Sequence, residues 1–192
     1  MLMPMDLRDY VRIYDNFLEA NVCKNLIEKL SENDKWELHQ FYNSETKQNI
    51  RFDKELSVLD PDIPETREID EKISVAIRQY FYDWHGMMDK WYGGWNGYTK
   101  VRYNRYDVGT KMKLHCDHIH SMFDGERKGI PTLSILGSLN NDYEGGELIF
   151  WEKEKIELKT GQIMIFPSNF MYPHRVDEVT KGTRYSYVSW VW

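Results

Sequence analysis

The sequence of 192 residues predicts a mainly β protein with helices in its N-terminal half, an α+β chain whose strands form a sandwich or barrel. Two amphipathic stripes at helical spacing occur before residue 97, and short segments rich in β-branched and aromatic residues follow from about residue 98. Glycine turns separate those segments. The length suits one domain, so we expect a single domain with helical support over about 1–97 and a β core over about 98–192.

Each predicted helix carries an apolar stripe. The first spans about Ala20–Ser31, and its stripe includes Val22, Leu26, Ile27 and Leu30. The second begins near Pro64, because proline is favoured in the first turn of a helix, and continues to about Asp83. The polar residues 40–48 between them predict a loop or an irregular hairpin.

The β segments follow one another at short intervals. They are YTKVRY, TLSILGSL, GELIFWE, KIELK, QIMIFP, YPHRVDEV and TRYSYVSWVW. Glycine pairs or glycine-containing pairs at 145–146, 160–161 and 181–182 mark turns between them. A regular run of short strands is typical of two facing antiparallel sheets.

Composition excludes some classes of partner. Asp and Glu number 31 against 25 Lys and Arg, for a formal net charge of −6, so the chain lacks the basic surface that nucleic acid binding requires. No apolar run is long enough to span a membrane, and no signal peptide is visible. The two cysteines, Cys23 and Cys116, lie far apart and favour a reducing compartment. We expect a cytoplasmic protein without a nucleic acid or membrane partner.

A metal site is indicated by three residues. In an extended backbone His115 and Asp117 project from the same face, so both can reach one ion. His174, beside Pro173 at the start of a late strand, can supply a third ligand. Two histidines and one carboxylate form the facial triad of non-heme iron(II) sites, which leaves coordination positions open for catalysis.

An H-x-D triplet alone is common by chance, so the interpretation needs support from a further residue. Arg184 provides this support. It follows His174 by ten residues across a predicted turn, so we expect the two on neighbouring strands facing one cavity. An inward guanidinium beside a metal needs an anion, and its planar fork suits a carboxylate. The alternative is an exposed strand arginine paired with Asp177 or Glu178.

These residues resemble the 2-oxoglutarate-dependent iron dioxygenases, in particular the prolyl 4-hydroxylase-like branch. The order of H-x-D pair, distal histidine and basic residue matches His115, Asp117, His174 and Arg184. The segments RYDVGTKMKLHCD, YEGGELIF and TGQIMIFP are similar to family segments around these positions. The resemblance covers about 98–192, and IYDNFLEANVCKNLIEKL is similar to the opening strand and helix of the family.

The resemblance implies a double-stranded β-helix of the jelly-roll or cupin-like kind, with Fe(II) held by the triad and 2-oxoglutarate chelating the iron. It implies that Arg184 binds the far carboxylate and that Tyr106 contacts this cosubstrate, with Ser186, on the same strand face as Arg184, able to share the carboxylate. Reaction with O2 would hydroxylate an unactivated carbon and release succinate and carbon dioxide. Ascorbate is implied as a possible reductant.

The implied substrate is peptidyl-proline or another side chain of a peptide or protein, slightly ahead of a free amino acid or small metabolite. Met112 departs from the family pattern, because prolyl hydroxylases often have an aromatic residue three positions before the first histidine. This departure counts against peptidyl-proline.

Two rival functions stay open. One is a non-catalytic cupin-like module that binds metal or ligand, and the other is an enzyme of the same shape in which His118 or His120 adds a ligand to another metal. Those histidines otherwise belong to a loop where one can meet substrate. The segment from Trp91 to Tyr98 is either a lip over the active site or a turn anchored by tryptophans.

Overall fold

The computed structural model describes residues 6–43, 45–61, 63–85, 95–117 and 131–192. In these ranges a 3-10 turn spans Leu7–Tyr10, helix α1 spans Ala20–Ser31 and helix α2 spans Pro64–His85. The apolar stripe of α1 buries Cys23, Leu26 and Leu30. Neither helix combines the length and the apolar character that crossing a membrane would need, within the part of the chain that is described.

The strands are short, and most of them follow α2. They are β1 (Arg12–Tyr14), β2 (Glu37–Leu38), β3 (Phe41–Asn43), β4 (Gln48–Ile50), β5 (Ser57–Leu59), β6 (Arg102–Tyr106), β7 (Met112–His115), β8 (Leu133–Ser138), β9 (Glu144–Gly145), β10 (Leu148–Phe150), β11 (Glu154–Ile156), β12 (Ile163–Pro167), β13 (His174–Val176), β14 (Val179–Lys181) and β15 (Arg184–Val191). The protein is therefore mainly β with two α-helices in the described ranges, as the sequence predicts at this coarse level.

A seven-stranded antiparallel sheet forms the larger layer, in the order β1-β12-β8-β15-β6-β5-β2. Three of these strands come from the N-terminal half, which the sequence pattern predicts to be helical support. Strands of two or three residues contain too little alternation for their period to be recognised, so β2 and β5 were missed, and β1 was implied only by the resemblance of IYDNFLEANVCKNLIEKL to an opening strand and helix. The polar stretch at 40–48 became the hairpin β3-β4, one of its two predicted forms.

The smaller layer is a four-stranded sheet in the order β11-β10-β13-β7. Side chains from both sheets fill an interior core, for example Leu136 and Met164 from the large sheet and Phe150 and Val176 from the small one. A second core lies between the helices and the other face of the large sheet. Two facing sheets with helices on the outside are consistent with the predicted jelly roll.

Candidate active site

The predicted metal ligands meet at one end of the small sheet. Strand β7 ends at His115 and strand β13 begins at His174, and the two residues are direct partners across the antiparallel pair. Asp117 follows β7 by two residues. The ligand atoms of these three residues all lie within 4.8 Å of one another, a grouping that can hold one metal ion.

The individual distances fit a shared ion. Asp117 Oδ1 lies 3.3 Å from His115 Nε2 and 3.7 Å from His174 Nε2. The two imidazole rings are 4.4 Å apart between centroids. His174 is buried and packs against the rings of Phe150 and Phe166, at 5.0 and 5.3 Å. These neighbours leave its ring little freedom to turn.

Backbone carbonyls fix the same nitrogen of each histidine. His115 Nδ1 lies 2.7 Å from the Lys113 carbonyl oxygen, and His174 Nδ1 lies 3.1 Å from the Tyr172 carbonyl oxygen. Since a carbonyl only accepts, both Nδ1 atoms are the protonated ones that donate. Metal-bound histidines are usually oriented by such a bond, which leaves Nε2 free as the ligand atom.

Charge at the triad also suits a cation. Burial acts to raise the pKa of Asp117, but the neighbouring His174 and His115 outweigh burial and hold its pKa well below its usual range. Burial lowers the pKa of His174 to about 4, so its imidazole is neutral at pH 7. For His115 burial acts downward, but Asp117 outweighs it and raises the pKa. An ion would therefore compete with a proton at His115 more than at His174.

Arg184 is the first residue of β15 and lies in the large sheet, whereas His174 lies in the small sheet. The expectation that they occupy neighbouring strands was therefore wrong. The chain between them forms β14, which pairs with β9 before the chain crosses to the large sheet. Arg184 is 3% exposed, and its guanidinium carbon lies 4.8 Å from the centre of the Tyr106 ring.

The exposed alternative for Arg184 is also wrong. Asp177 pairs with Arg175 at 2.7 Å, and Glu178 pairs with Lys54 at 3.4 Å. Within the described ranges no carboxylate forms an ion pair with Arg184. Its guanidinium instead donates to two hydroxyls, Ser186 Oγ at 3.3 Å and Tyr143 Oη at 3.2 Å. A buried arginine bound only to neutral groups retains its demand for an anion.

Tyr106 and Ser186 both lie beside Arg184. Tyr106 is its direct partner on β6 and is 2% exposed, and its hydroxyl donates to the Met112 sulfur at 3.7 Å, a weak acceptor. Tyr143 was missed by the sequence interpretation, although it begins the YEGGELIF segment. Gly146 in that segment allows the approach, since a Cβ there would come within 3.3 Å of Arg184 Cδ.

Two separate cavities of about 520 Å³ each border these residues. One is lined by Arg184, Tyr143, Gly146 and Leu148. The other is lined by His115 together with Phe41 and Phe52 from the hairpin region. The first offers space beside the guanidinium and the second offers space beside the metal ligands.

The remaining residues that the sequence analysis singled out either lie outside the described ranges or lie away from the triad. His118, His120 and residues 91–94 lie outside the described residues. Trp95 stacks on Phe81 at 5.9 Å, and the Tyr98 hydroxyl donates to the Asp70 carbonyl, as expected of a turn anchored by aromatics. Tyr103, on the same strand as Tyr106, faces the helices, and its hydroxyl shares a hydrogen bond with Thr66 Oγ1.

Comparison with known proteins connects this site to a family. Residues 101–192 match the sequence model of the 2OG-Fe(II) oxygenase superfamily. A PKHD-type hydroxylase of Idiomarina loihiensis is 36% identical over 96 residues, which are 48% of this chain and 42% of the relative. A PKHD-type hydroxylase of a Psychrobacter species is 34% identical over 95 residues, 46% of this chain and 36% of the relative. The chain thus matches less than half the length of these curated relatives.

Solved structures agree in fold. A prolyl hydroxylase from Trichoplax adhaerens, in complex with a peptide of the hypoxia inducible factor oxygen degradation domain, superposes with a TM-score of 0.69 at 18% identity, over 95% of this chain and 83% of that one. A viral collagen prolyl hydroxylase of Paramecium Bursaria Chlorella virus-1, in complex with 2OG, gives 0.65 at 19% identity, over 95% of each chain. At these identities the likeness concerns the fold alone.

Proposed function

We propose that the chain is an Fe(II)- and 2-oxoglutarate-dependent dioxygenase that hydroxylates an unactivated carbon, because residues 101–192 match the sequence model of the 2OG-Fe(II) oxygenase superfamily. The observation that carries the proposal is the triad. Two Nε2 atoms and one carboxylate lie within 4.8 Å, and both Nδ1 atoms are occupied by backbone carbonyls. Three protein ligands leave the open positions that catalysis requires.

We assign roles to the chain's own residues. His115, Asp117 and His174 hold the iron, and Arg184 binds the far carboxylate of 2-oxoglutarate. Ser186 and Tyr143 orient the Arg184 fork through their hydroxyls, and Tyr106 contributes its hydroxyl and its ring face to the same site. The bound iron supplies oxygen activation coupled to decarboxylation of 2-oxoglutarate to succinate. The apolar walls formed by Phe150 and Phe166 exclude water from one side of His174.

For the substrate we propose a side chain of a peptide, with peptidyl-proline first and a free amino acid or small metabolite as the alternative. The Trichoplax neighbour was solved with a peptide, which supports a peptide here. The cavity beside His115, with Phe41 and Phe52, has room for an apolar side chain next to the metal ligands. Met112 is buried against Tyr106, so it belongs to the cosubstrate side of the site.

The remaining expectations are also proposals. We infer that the whole chain is one domain of the double-stranded β-helix type, because β1, β2 and β5 complete the large sheet of the C-terminal half. Ascorbate as a reductant rests on the resemblance. A reducing, cytoplasmic compartment is supported by the free thiols of Cys23 and Cys116.

The test is anaerobic addition of Fe(II) and 2-oxoglutarate, followed by visible absorption spectroscopy and then by succinate measurement after oxygen is admitted. We expect a weak charge-transfer band and oxygen-dependent succinate. Metal binding with neither signal would reject the enzyme and favour the non-catalytic binding module.

Two variants separate the assigned roles. Asp117→Ala should lose iron, because the triad loses its only anionic ligand. Arg184→Ala should keep iron but need about 10- to 100-fold more 2-oxoglutarate, the range expected for a charge-assisted bond of about 1.5–3 kcal/mol. Arg105→Ala, on the same sheet but on its helix-facing side, is the matched control and should change neither quantity. Equal loss of iron and 2-oxoglutarate binding in both test variants would contradict the assignment.

A further inference from the structure

A second arginine faces the interior between the sheets. Arg102 begins β6, and its side chain points to the same face as those of Asn104 and Tyr106 because residues two apart share a face. Its partner across the sheet is Val188, which belongs to the interior core. Trp190, on which Arg102 stacks, belongs to the same interior core as Phe150 and Phe166, which pack against His174, so the guanidinium lies on the triad's side of the large sheet.

Arg102 stacks on Trp190, with its guanidinium carbon 4.9 Å from the centre of the indole. Stacking occupies the face of the guanidinium and leaves its edge of N–H donors available. Arg102 Nε is buried and makes no hydrogen bond in the described structure, and the same is true of Trp190 Nε1. Two unsatisfied buried donors on one stacked pair call for an acceptor.

Arg105 in the same strand provides the contrast. It faces the helices and stacks on Trp36 at 4.8 Å, so its aromatic contact is equivalent. Arg105 Nε also makes no hydrogen bond, but it lies 3.1 Å from Asp107 Oδ2 and forms an ion pair with it. The outer arginine therefore has its anion within the chain, whereas Arg102 forms no ion pair with any described carboxylate.

The acids around Arg102 form no ion pair with it in the described ranges. Asp117 is a ligand of the proposed iron and cannot also neutralise an arginine. Glu55 lies 3.7 Å from His39, and although neither of its oxygens makes a hydrogen bond, it does not pair with Arg102. Asp60 directly follows β5, the strand beside β6, but it is exposed and does not pair with Arg102 either. Arg102 is therefore a cation without an ion-pair partner among the described carboxylates.

We propose that Arg102, stacked on Trp190, binds a carboxylate of the primary substrate, so that the compound hydroxylated is an acid. This inference rests on the proposed function and specifies its substrate class. Arg184 is not a substitute, because it lies opposite Tyr106, about 13 Å along β6 from Arg102 at roughly 3.3 Å per residue. One arginine serves the cosubstrate and the other serves the substrate.

The experiment uses the full chain loaded with Zn²⁺ and saturated with 2-oxoglutarate, so that no turnover occurs. The probes are the twenty amino acids in free, N-acetylated, amidated and doubly capped forms, with binding measured by calorimetry. Doubly capped Asp and Glu retain only a side-chain carboxylate, so the panel distinguishes an acidic side chain from a free carboxyl terminus. We expect a carboxylate-bearing probe to bind about 10- to 100-fold more tightly than its neutral counterpart.

Arg102→Gln should remove this preference, and Arg105→Gln should keep it. If Arg102→Gln fails to fold, Arg102→Lys tests the same point, since it keeps the charge but loses the fork and should retain only part of the preference. No preference in the unaltered protein, or an unchanged preference in Arg102→Gln, overturns the inference. A raised 2-oxoglutarate requirement in Arg102→Gln would also overturn it, because Arg102 would then serve the cosubstrate.

The charge-transfer band and succinate formation without substrate are measured on the same proteins loaded with iron. If the unaltered protein has neither signal, the proposed dioxygenase activity fails. If both signals persist but no carboxylate preference exists, only the acid substrate is rejected.

Discussion

The two histidines of the triad differ although they are direct partners across one pair of strands. His174 is enclosed by two phenylalanine rings and stays neutral, whereas His115 lies closer to Asp117 and holds its proton more tightly. A metal ion should therefore compete with a proton at His115 more than at His174. The sequence could predict which residues form the triad. Their proton affinities depend on burial by residues that are distant in the chain, which a single sequence does not reveal.

For His174 we predict a destabilisation of the metal-free protein as the pH falls from 6.5 to 4. The unfolded chain takes up a proton near the ordinary value of 6.5, whereas the folded histidine resists until about 4, so the unfolded state binds more protons in this window. The expected loss is roughly 2–3 kcal/mol, to be measured by urea unfolding at a series of pH values.

His174→Gln is the control for this prediction, because it removes the titrating group and should flatten the slope. His115 acts in the opposite direction, since its raised pKa means that the folded state binds this proton more tightly, and its contribution to the slope ends once the pH is well below 6.5. His39, whose pKa burial also lowers, accounts for a residual slope. An equal slope in His174→Gln and in the unaltered protein would refute the assignment.

Strand β15 contributes side chains to both hydrophobic cores. Its residues are buried on both faces, with Arg184, Ser186, Val188 and Trp190 directed to the interior and Tyr185, Tyr187 and Val191 directed to the helices. The period of two made this strand and the shared face of Arg184 and Ser186 predictable from sequence. The partner of each strand was not predictable, since β15 pairs with β8 and β6, which are distant in the chain.

The same limit explains what the sequence interpretation missed at the site. Tyr143 bonds Arg184 only because the turn containing Gly146 folds against β15, and Arg102 meets Trp190 only through the register of β6 and β15. Neither pair has a spacing that marks it in one sequence. The candidate metal ligands were predictable because metal coordination restricts residue types, whereas the residues around them are restricted by packing alone.

Gly137 of β8 is predicted to tolerate no side chain. A Cβ at this position would lie 1.9 Å from Cζ of Tyr187, the paired residue on β15, whose ring is fully buried. Neither the ring nor the central strands can move aside cheaply. Gly137→Ala should therefore lower the free energy of unfolding by about 3 kcal/mol, the upper end of the usual range for overpacking, in denaturant titration.

The matched experiment is a double-mutant cycle with Tyr187→Leu, whose shorter side chain leaves room for the methyl group. The cost of Gly137→Ala should be much smaller in that background, with a coupling of about 1–3 kcal/mol. Additive effects of the two substitutions would mean that Tyr187 is not the obstacle.

The large sheet separates a core under the helices from the interior core that contains the candidate site. Seven strands hold Arg184 and Arg102 on a continuous hydrogen-bonded layer, whereas the triad lies on the short edge pair β13 and β7, where the register shifts. The proposed cosubstrate side of the site would thus be built on the more extensive layer. The metal would add a connection to the less extensive one.

Metal binding should therefore stabilise the fold as a whole, because His115 and His174 are brought together only in the folded chain. Zn²⁺ at a hundredfold excess over its Kd should add about 2.7 kcal/mol and raise Tm by about 5–10 °C for a chain of this length, measured by calorimetry. Asp117→Ala should abolish the shift, and Asp107→Ala, which alters a carboxylate paired with Arg105 outside the triad, should retain it. A shift of equal size in both variants would place the stabilising ion elsewhere on the protein, since only Asp117 contributes an oxygen to the triad.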